Sequence, residues 1–149
     1  MIKENYDNTS KTITFTLPRD GISNFEVKPV DQSLIPVDGI SFYVIRLATV
    51  IVVHPQGEFF IGRSMVDDDS WNPKVDFAEA DGSANSVSRR HALIRPLKRG
   101  YEIMDLHSTN GTTLNDYRLV PDKAYPLVSG AQLSIGRELL LVIFRSADL

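Results

Sequence analysis

SRRHALIRPLKRGYEIMDLHSTNGTTLN, the segment Ser88–Asn115, is the part of the chain that says most about both fold and function. It contains two runs rich in apolar residues, His91–Pro96 and Tyr101–Asp105, separated by the turn signal Lys98–Gly100. Such runs are typical of short β-strands. The flanking motifs Ser-Arg-Arg-His and Ser-Thr-Asn-Gly-Thr therefore fall on loops at strand ends. Their hydroxyl, amide and guanidinium groups are of the kind that bind a phosphate without cleaving it.

The rest of the chain shows the same strand-like pattern. Polar and apolar residues alternate in Thr12–Leu17, so that Ile13, Phe15 and Leu17 would share one face of a strand. Further strands are predicted at Phe25–Val27, Phe42–Thr49, Val50–Val53, Glu58–Ile61, Val75–Phe77, Thr112–Leu114, Gln132–Ile135 and Leu139–Phe144. No convincing long helix is present. Many short strands with frequent turn signals predict an all-β fold, an antiparallel β-sandwich.

Composition narrows the class of protein. The 149 residues suffice for one domain with a sizeable core. The net charge of −3 gives no overall attraction to nucleic acid or to anionic lipid, so neither is expected as a partner. The absence of cysteine excludes disulfides and thiolate zinc sites. The most apolar stretch, Phe42–Val53, is too short for a membrane span, and residues 1–7 have no signal-peptide core. We therefore expect a cytoplasmic protein.

Three motifs in order resemble those of the forkhead-associated (FHA) domain family. They are Gly62-Arg63, then Ser88-x-x-His91, then Ser108–Thr112 followed by Leu114-Asn115. The resemblance covers roughly residues 42–144, and it implies an antiparallel β-sandwich that binds phosphothreonine peptides through loops at one end. It further implies an FHA domain at residues 42–146, preceded by an N-terminal extension, residues 1–41, that would add a strand or a hairpin. Members of this family are readers of phosphorylation and not enzymes.

The resemblance also assigns roles to individual residues. Phosphothreonine carries a charge of about −1.5 to −2 and three strong acceptor oxygens, so fixed donors suit it. The expected phosphopeptide-binding residues are Arg63, Ser88, Arg89, Thr109 and Asn110. The first three would engage the phosphate, Thr109 would lie beside it, and Asn110 would hydrogen-bond the peptide backbone. The residues expected to support the site structurally are Gly62, His91, Gly111 and Asn115.

Ser88 and His91 taken alone also suggest a serine hydrolase. A nucleophilic serine needs a base that is itself oriented by a third group, together with an oxyanion hole. The Gly-x-Ser-x-Gly elbow that often presents such a serine is absent. In the family that the chain resembles this histidine holds the loop by hydrogen bonds. We therefore expect no catalytic residue and no enzymatic activity.

No cofactor and no metal are expected either. The acidic run Asp67–Asp69 lacks the spaced ligands, central glycine and distal glutamate of a calcium loop, so we interpret it as a solvated loop. His54 and His107 show no metal-ligand spacing with His91.

Two features depart from the family pattern and leave alternatives open. The stretch Ser64–Val87 between the first two motifs is unusually long and would either shape the peptide groove or extend freely. Phosphorylation of the extension, at Thr9, Ser10 or Thr12, would allow self-association with another copy. The extension also favours an alternative function, a phospho-independent structural or assembly module with an FHA fold.

Overall fold

The computed structural model of the protein describes residues 2–6, 11–16, 36–78 and 86–145, and for the first two segments the description concerns the backbone. The strand predicted at Phe25–Val27 and the residues Thr9 and Ser10 lie outside the described residues. Thirteen strands are present in the described parts of the chain. Their bounds are β1 Ile2–Tyr6, β2 Lys11–Thr16, β3 Ile40–Val44, β4 Thr49–His54, β5 Phe59–Gly62, β6 Val75–Asp76, β7 Arg90–Pro96, β8 Tyr101–Asp105, β9 Thr112–Leu114, β10 Tyr117–Arg118, β11 Ala124–Leu127, β12 Gln132–Ile135 and β13 Glu138–Phe144.

The strands form two sheets. The larger has eight strands in the order β1-β2-β4-β3-β13-β12-β9-β10, and every neighbouring pair is antiparallel. The smaller has five strands in the order β11-β8-β7-β5-β6, in which only β5 and β6 are parallel. The described residues contain no α-helix, and the predicted all-β sandwich is confirmed.

The core lies between the two sheets. In β13, for example, every second side chain is buried, which is the pattern of a strand with one face on the core. Phe42 of the larger sheet and Phe59 of the smaller meet edge-to-face, with ring centroids 6.2 Å apart. Burial of each such side chain contributes about 1.5–3 kcal/mol, and more than a dozen aliphatic and aromatic residues share this core. The packed sheets provide a rigid base for the loops.

Some strand boundaries differ from those expected. The apolar stretch Phe42–Val53 is a hairpin, because Ile45–Ala48 turn the chain and Ala48 has a positive φ of 47°. The strands β1 and β10 were not predicted. β10 lacks an alternating apolar pattern since it lies at a sheet edge, where only one neighbour and little burial are available.

Antiparallel pairing brings several loops to one end of the sandwich. β5 ends there, β7 begins there, and β8 and β12 end there, so that their connections become neighbours although they are far apart in sequence. In the described part of the chain no helix is long and apolar enough to cross a membrane.

Candidate functional site

The end of β5 and the start of β7 approach each other closely. Arg63 donates its backbone N–H to the carbonyl of Arg89 at 3.1 Å, and its Nε donates to the carbonyl of Val87 at 3.2 Å. These bonds hold the half-buried Arg63 side chain beside the Ser88 segment. Its terminal amino groups make no hydrogen bond to the described residues and remain available as donors.

Gly62 permits this approach. A Cβ atom at this position would lie 1.9 Å from the carbonyl oxygen of Arg89, which no side chain allows. The register of β5 with β7 also shifts here, because Gly62 pairs with Arg90 and Ile61 with Ala92. The residue between them, His91, is thereby turned into the core, as irregularities of this kind often re-aim a side chain.

Ser88 lies where the second and third motifs meet. Its backbone N–H donates to Nδ1 of His91 at 3.0 Å, and its hydroxyl oxygen accepts the backbone N–H of Thr109 at 3.0 Å. A hydroxyl that accepts one bond keeps its own proton for another acceptor. Ser88 therefore both joins the two loops and retains a donor.

His91 is fully buried and is bonded at both ring nitrogens. Nδ1 accepts from Ser88, which requires the ring proton on Nε2, and Nε2 donates to the carbonyl of Gly111 at 2.9 Å. Burial lowers the pKa of His91 below its usual value, and the bond to Gly111 and the charge of Asp105 oppose this shift only in part. The histidine bonds the backbone N–H of Ser88 and not its hydroxyl, so it is not placed to act as a base toward Ser88.

Asp105 holds the loop of the third motif in place, and it was not among the residues predicted for the site. Its buried carboxylate accepts the backbone N–H of Ser108 at 3.2 Å and the hydroxyls of Ser108 and Thr112, each at 2.6 Å. Its signal in the sequence is an acidic residue at the end of a strand, followed by hydroxyl residues three and seven positions later. The loop is therefore pinned before any ligand binds.

Asn110 connects the same loop to a third part of the chain. Its Nδ2 donates to the carbonyl of Ser86 at 2.9 Å, and the Ser86 hydroxyl accepts the backbone N–H of Arg137 at 2.9 Å. Gly136 donates its N–H to the carbonyl of Gly111 at 3.1 Å. Gly111 has a φ of 83°, a conformation that glycine adopts without strain. The turn between β12 and β13 thus forms one wall of the site.

Asn115 lies apart from these groups. It occupies the tight turn between β9 and β10, where Asn115 and Asp116 both have positive φ values, 46° and 65°. Its Oδ1 accepts the N–H of Gln132, and its N–H donates to the Gln132 carbonyl, both at 2.8 Å. It therefore braces β9 and β10 against β12.

The structure brings Arg63, Ser88, Arg89, Thr109 and Asn110 to the same end of the sandwich, with Gly62, His91 and Gly111 beneath them. The surface offers guanidinium groups, a hydroxyl proton and an amide. Among the described residues no three His, Asp or Glu side chains are grouped to hold a metal ion. The Asp68 carboxylate instead bonds Ser70 within its own exposed turn. Such an arrangement presents several hydrogen-bond donors to an anion.

Comparison with known proteins gives the same fold. Among solved structures, the chain is similar to an FHA domain studied for phosphothreonine-dependent interactions, with 23% identity, a TM-score of 0.56, and 72% of this chain and 97% of that one covered. An FHA domain of a hypothetical protein from Arabidopsis thaliana has 22% identity and a TM-score of 0.58, with 78% and 92% covered. EmbR of Mycobacterium tuberculosis, in complex with a low-affinity phosphopeptide, has 22% identity and a TM-score of 0.57, with 74% and 26% covered.

No curated protein matches the chain. The family model of the FHA domain matches residues 59–136, just over half of the 149 residues. This range includes all three motifs and ends at Gly136, just after β12. The family membership inferred from those motifs is confirmed: the chain belongs to the FHA domain family.

Proposed function

We propose that this protein binds phosphothreonine-containing peptides and so mediates phosphorylation-dependent protein–protein interaction. The observation that carries the proposal is the hydroxyl of Ser88. It is fixed by the Thr109 N–H at 3.0 Å and keeps its proton as a donor, directly beside Arg63 and Arg89. A preorganised donor next to two cations matches the oxygens of a phosphate monoester.

Charge supports the same conclusion. The chain as a whole carries −3, so the attraction for a phosphate must be local. Arg63 is held from below by the Val87 carbonyl, while the Arg89 side chain is exposed and makes no hydrogen bond to the described residues. Bonds from such guanidinium groups to a dianion are charge-assisted and about twice as strong as neutral ones.

Asn110 extends the site from phosphate to peptide. One N–H of its side-chain amide is bonded to Ser86, which fixes the orientation of the amide plane. The other N–H and the carbonyl oxygen make no bond to the described residues, and together they match the C=O and N–H of a peptide unit. A peptide whose phosphothreonine binds at Ser88 would therefore make a second contact, between its backbone and the Asn110 amide.

Binding without catalysis fits the same geometry. In the part of the chain that the structure describes, the histidine beside Ser88 is His91, which is buried and bonded at both ring nitrogens, so it is not a base for the hydroxyl. The FHA family is a recognition family, and one structural neighbour, EmbR, is in complex with a phosphopeptide. We therefore propose a reader of phosphorylation that is not an enzyme.

The test is calorimetric titration with the best sequence from a phosphothreonine peptide library. Replacement Arg63→Ala should weaken binding roughly 10- to 100-fold, because hydrogen bonds from charged groups contribute about 1.5–3 kcal/mol each. Arg99→Ala is the matched control, since Arg99 is an exposed arginine in the turn between β7 and β8 at the opposite end. It should bind as the wild type does.

Failure of the wild type to bind any phosphothreonine peptide, or equal binding by the Arg63→Ala variant, would contradict the proposal. Recovery of a partner protein in equal amounts before and after phosphatase treatment would instead support the alternative, an assembly module that does not read phosphorylation.

A further inference from the structure

Trp71 is the single tryptophan of the chain, and it lies between β5 and β6 in the long segment that had no assigned role. Its indole N–H donates to the carbonyl of Arg89 at 3.1 Å. Its ring packs against Phe60, with centroids 4.9 Å apart, and the Arg90 guanidinium carbon lies 4.7 Å from the ring centroid. One side chain therefore contacts both members of the Arg89-Arg90 pair.

The Arg89 carbonyl has two donors. Arg63 N–H and Trp71 Nε1–H each approach it at 3.1 Å, so both of its lone pairs are used. The same oxygen is the atom that a side chain at Gly62 would strike. The peptide unit following Arg89 is thus fixed from two sides, and this unit follows Ser88 by a single residue.

Arg89 and Arg90 have different environments, because only Arg90 stacks on the indole ring of Trp71. A guanidinium over an indole face is held by attraction to the ring and by stacking. Arg90 is engaged in this way, whereas the Arg89 side chain keeps its donors free of hydrogen bonds to the described residues. The Arg90 guanidinium is therefore held against the Trp71 ring, and the Arg89 side chain can donate to a ligand.

We propose that Trp71 is a positioning residue of the phosphopeptide site. It acts through the Arg89 carbonyl, which it fixes so that Ser88 and Arg89 present their donors to one phosphate. This role rests on the proposed function of the site, and it gives the long loop after Arg63 a task in ligand binding.

The single tryptophan makes a test with minimal disturbance feasible. Replacement Trp71→Phe removes the N–H donor and keeps a ring for Phe60 and Arg90. Loss of one fixed hydrogen bond should weaken phosphothreonine-peptide binding about fivefold. Global replacement of tryptophan by 3-benzothienylalanine removes only the donor and should give the same loss. Replacement by 5-fluorotryptophan retains the donor and should restore wild-type affinity.

Tyr125→Phe is the matched control. The Tyr125 hydroxyl accepts the backbone N–H of Val120 at 3.1 Å, so this change also deletes one bond between an aromatic side chain and the backbone. Tyr125 lies in β11, the edge strand on the opposite side of the same sheet. The control should bind the peptide as the wild type does.

The outcomes separate this inference from the function on which it rests. A fivefold loss in both donor-deficient proteins at an unchanged unfolding temperature, together with a saturable change of wild-type tryptophan emission on peptide addition, supports the positioning role. Wild-type affinity in both donor-deficient proteins overturns it while the proposed function stands. Loss of affinity only in proportion to lost stability also overturns it, because Trp71 would then be merely structural. Absence of peptide binding by the wild type overturns both.

Discussion

One buried imidazole joins the two loops that carry the proposed phosphate ligands. His91 accepts the N–H of Ser88 and donates to the carbonyl of Gly111, so its neutral form is the one that fits. Protonation of Nδ1 would set two N–H groups against each other at the base of the site. The pKa of His91 is accordingly lowered, chiefly by burial.

The lowered pKa predicts loss of stability in weak acid. The unfolded chain takes up a proton at the ordinary histidine pKa of about 6.5, whereas folded His91 does so only at lower pH. Between these two values the unfolded state binds more protons, so the free energy of unfolding should fall as the pH drops below about 6.5. Thermal unfolding of the ligand-free protein between about pH 7.5 and 5.5 measures this fall.

The variant His91→Gln serves as the reference for that measurement. Glutamine retains a donor for Gly111 but offers no titrating group, and it should cost about 1–3 kcal/mol through the unsatisfied Ser88 N–H. The two proteins differ at this one position, so the difference between their pH dependences reports on His91. A pH dependence of equal size in the two proteins would show that His91 is not its source.

At the scale of strands, the site depends on how closely β5 and β7 approach. The end of β5 touches the backbone of Ser88 and Arg89, where a side chain on Gly62 would collide. Gly62→Ala should therefore destabilise the protein by about 2 kcal/mol or more, because backbone atoms must shift. It should also weaken phosphopeptide binding, since Arg63 and Arg89 would move apart.

Gly57→Ala provides the matched control for that change. A Cβ at Gly57 meets no atom within 4 Å, and this glycine does not have a positive φ. Its replacement should alter stability by no more than about 0.5 kcal/mol. Chemical denaturation measures the free energy of unfolding of both variants, and equal values for the two would refute the requirement for glycine at position 62.

The strands that were predicted from the sequence are those with an alternating apolar pattern. β7, β8 and β13 bury one face on the core, and their sequences are therefore rich in apolar residues on that face. β10 was not predicted, because it is held at a sheet edge mainly by backbone pairing, which does not show in residue type. The extent of β3 was missed because its turn begins at Ile45, an apolar residue that is 55% exposed.

For the site, too, some features were predicted from the sequence and others were not. Short motifs led to the prediction of Arg63, Ser88 and Asn110 as site residues, because each motif combines a glycine or turn with a polar group. The supporting contacts of Trp71 and Ser86 were not foreseen, since each joins residues 18 or more positions apart in the chain. Such pairs are determined by sheet topology, which a single sequence does not encode locally.

At the scale of the whole molecule, β1 and β2 form one edge of the larger sheet, and this edge is distant from the proposed binding end. β2 pairs with both β1 and β4, over five and six residue pairs respectively. Four strand spacings separate β2 from β12 in the same sheet, which is about 20 Å at about 5 Å each. The family match, residues 59–136, begins after all four of the first strands. The division into an extension at residues 1–41 and a domain at residues 42–146 stays a prediction.

That division can be tested with proline in the middle of β2. Thr14→Pro removes a backbone donor from a strand with neighbours on both sides, and it should lower stability by about 3 kcal/mol. Thr14→Val keeps the donor and the β-branched shape, so it is the matched control. Because β2 is remote from Ser88 and Asn110, folded Thr14→Pro protein should bind a phosphothreonine peptide within about twofold of the wild-type affinity. Thermal unfolding and calorimetry check the two effects. A folded variant without binding, or a variant with no folded state at all, would show instead that the hairpin of β1 and β2 is an integral part of the domain.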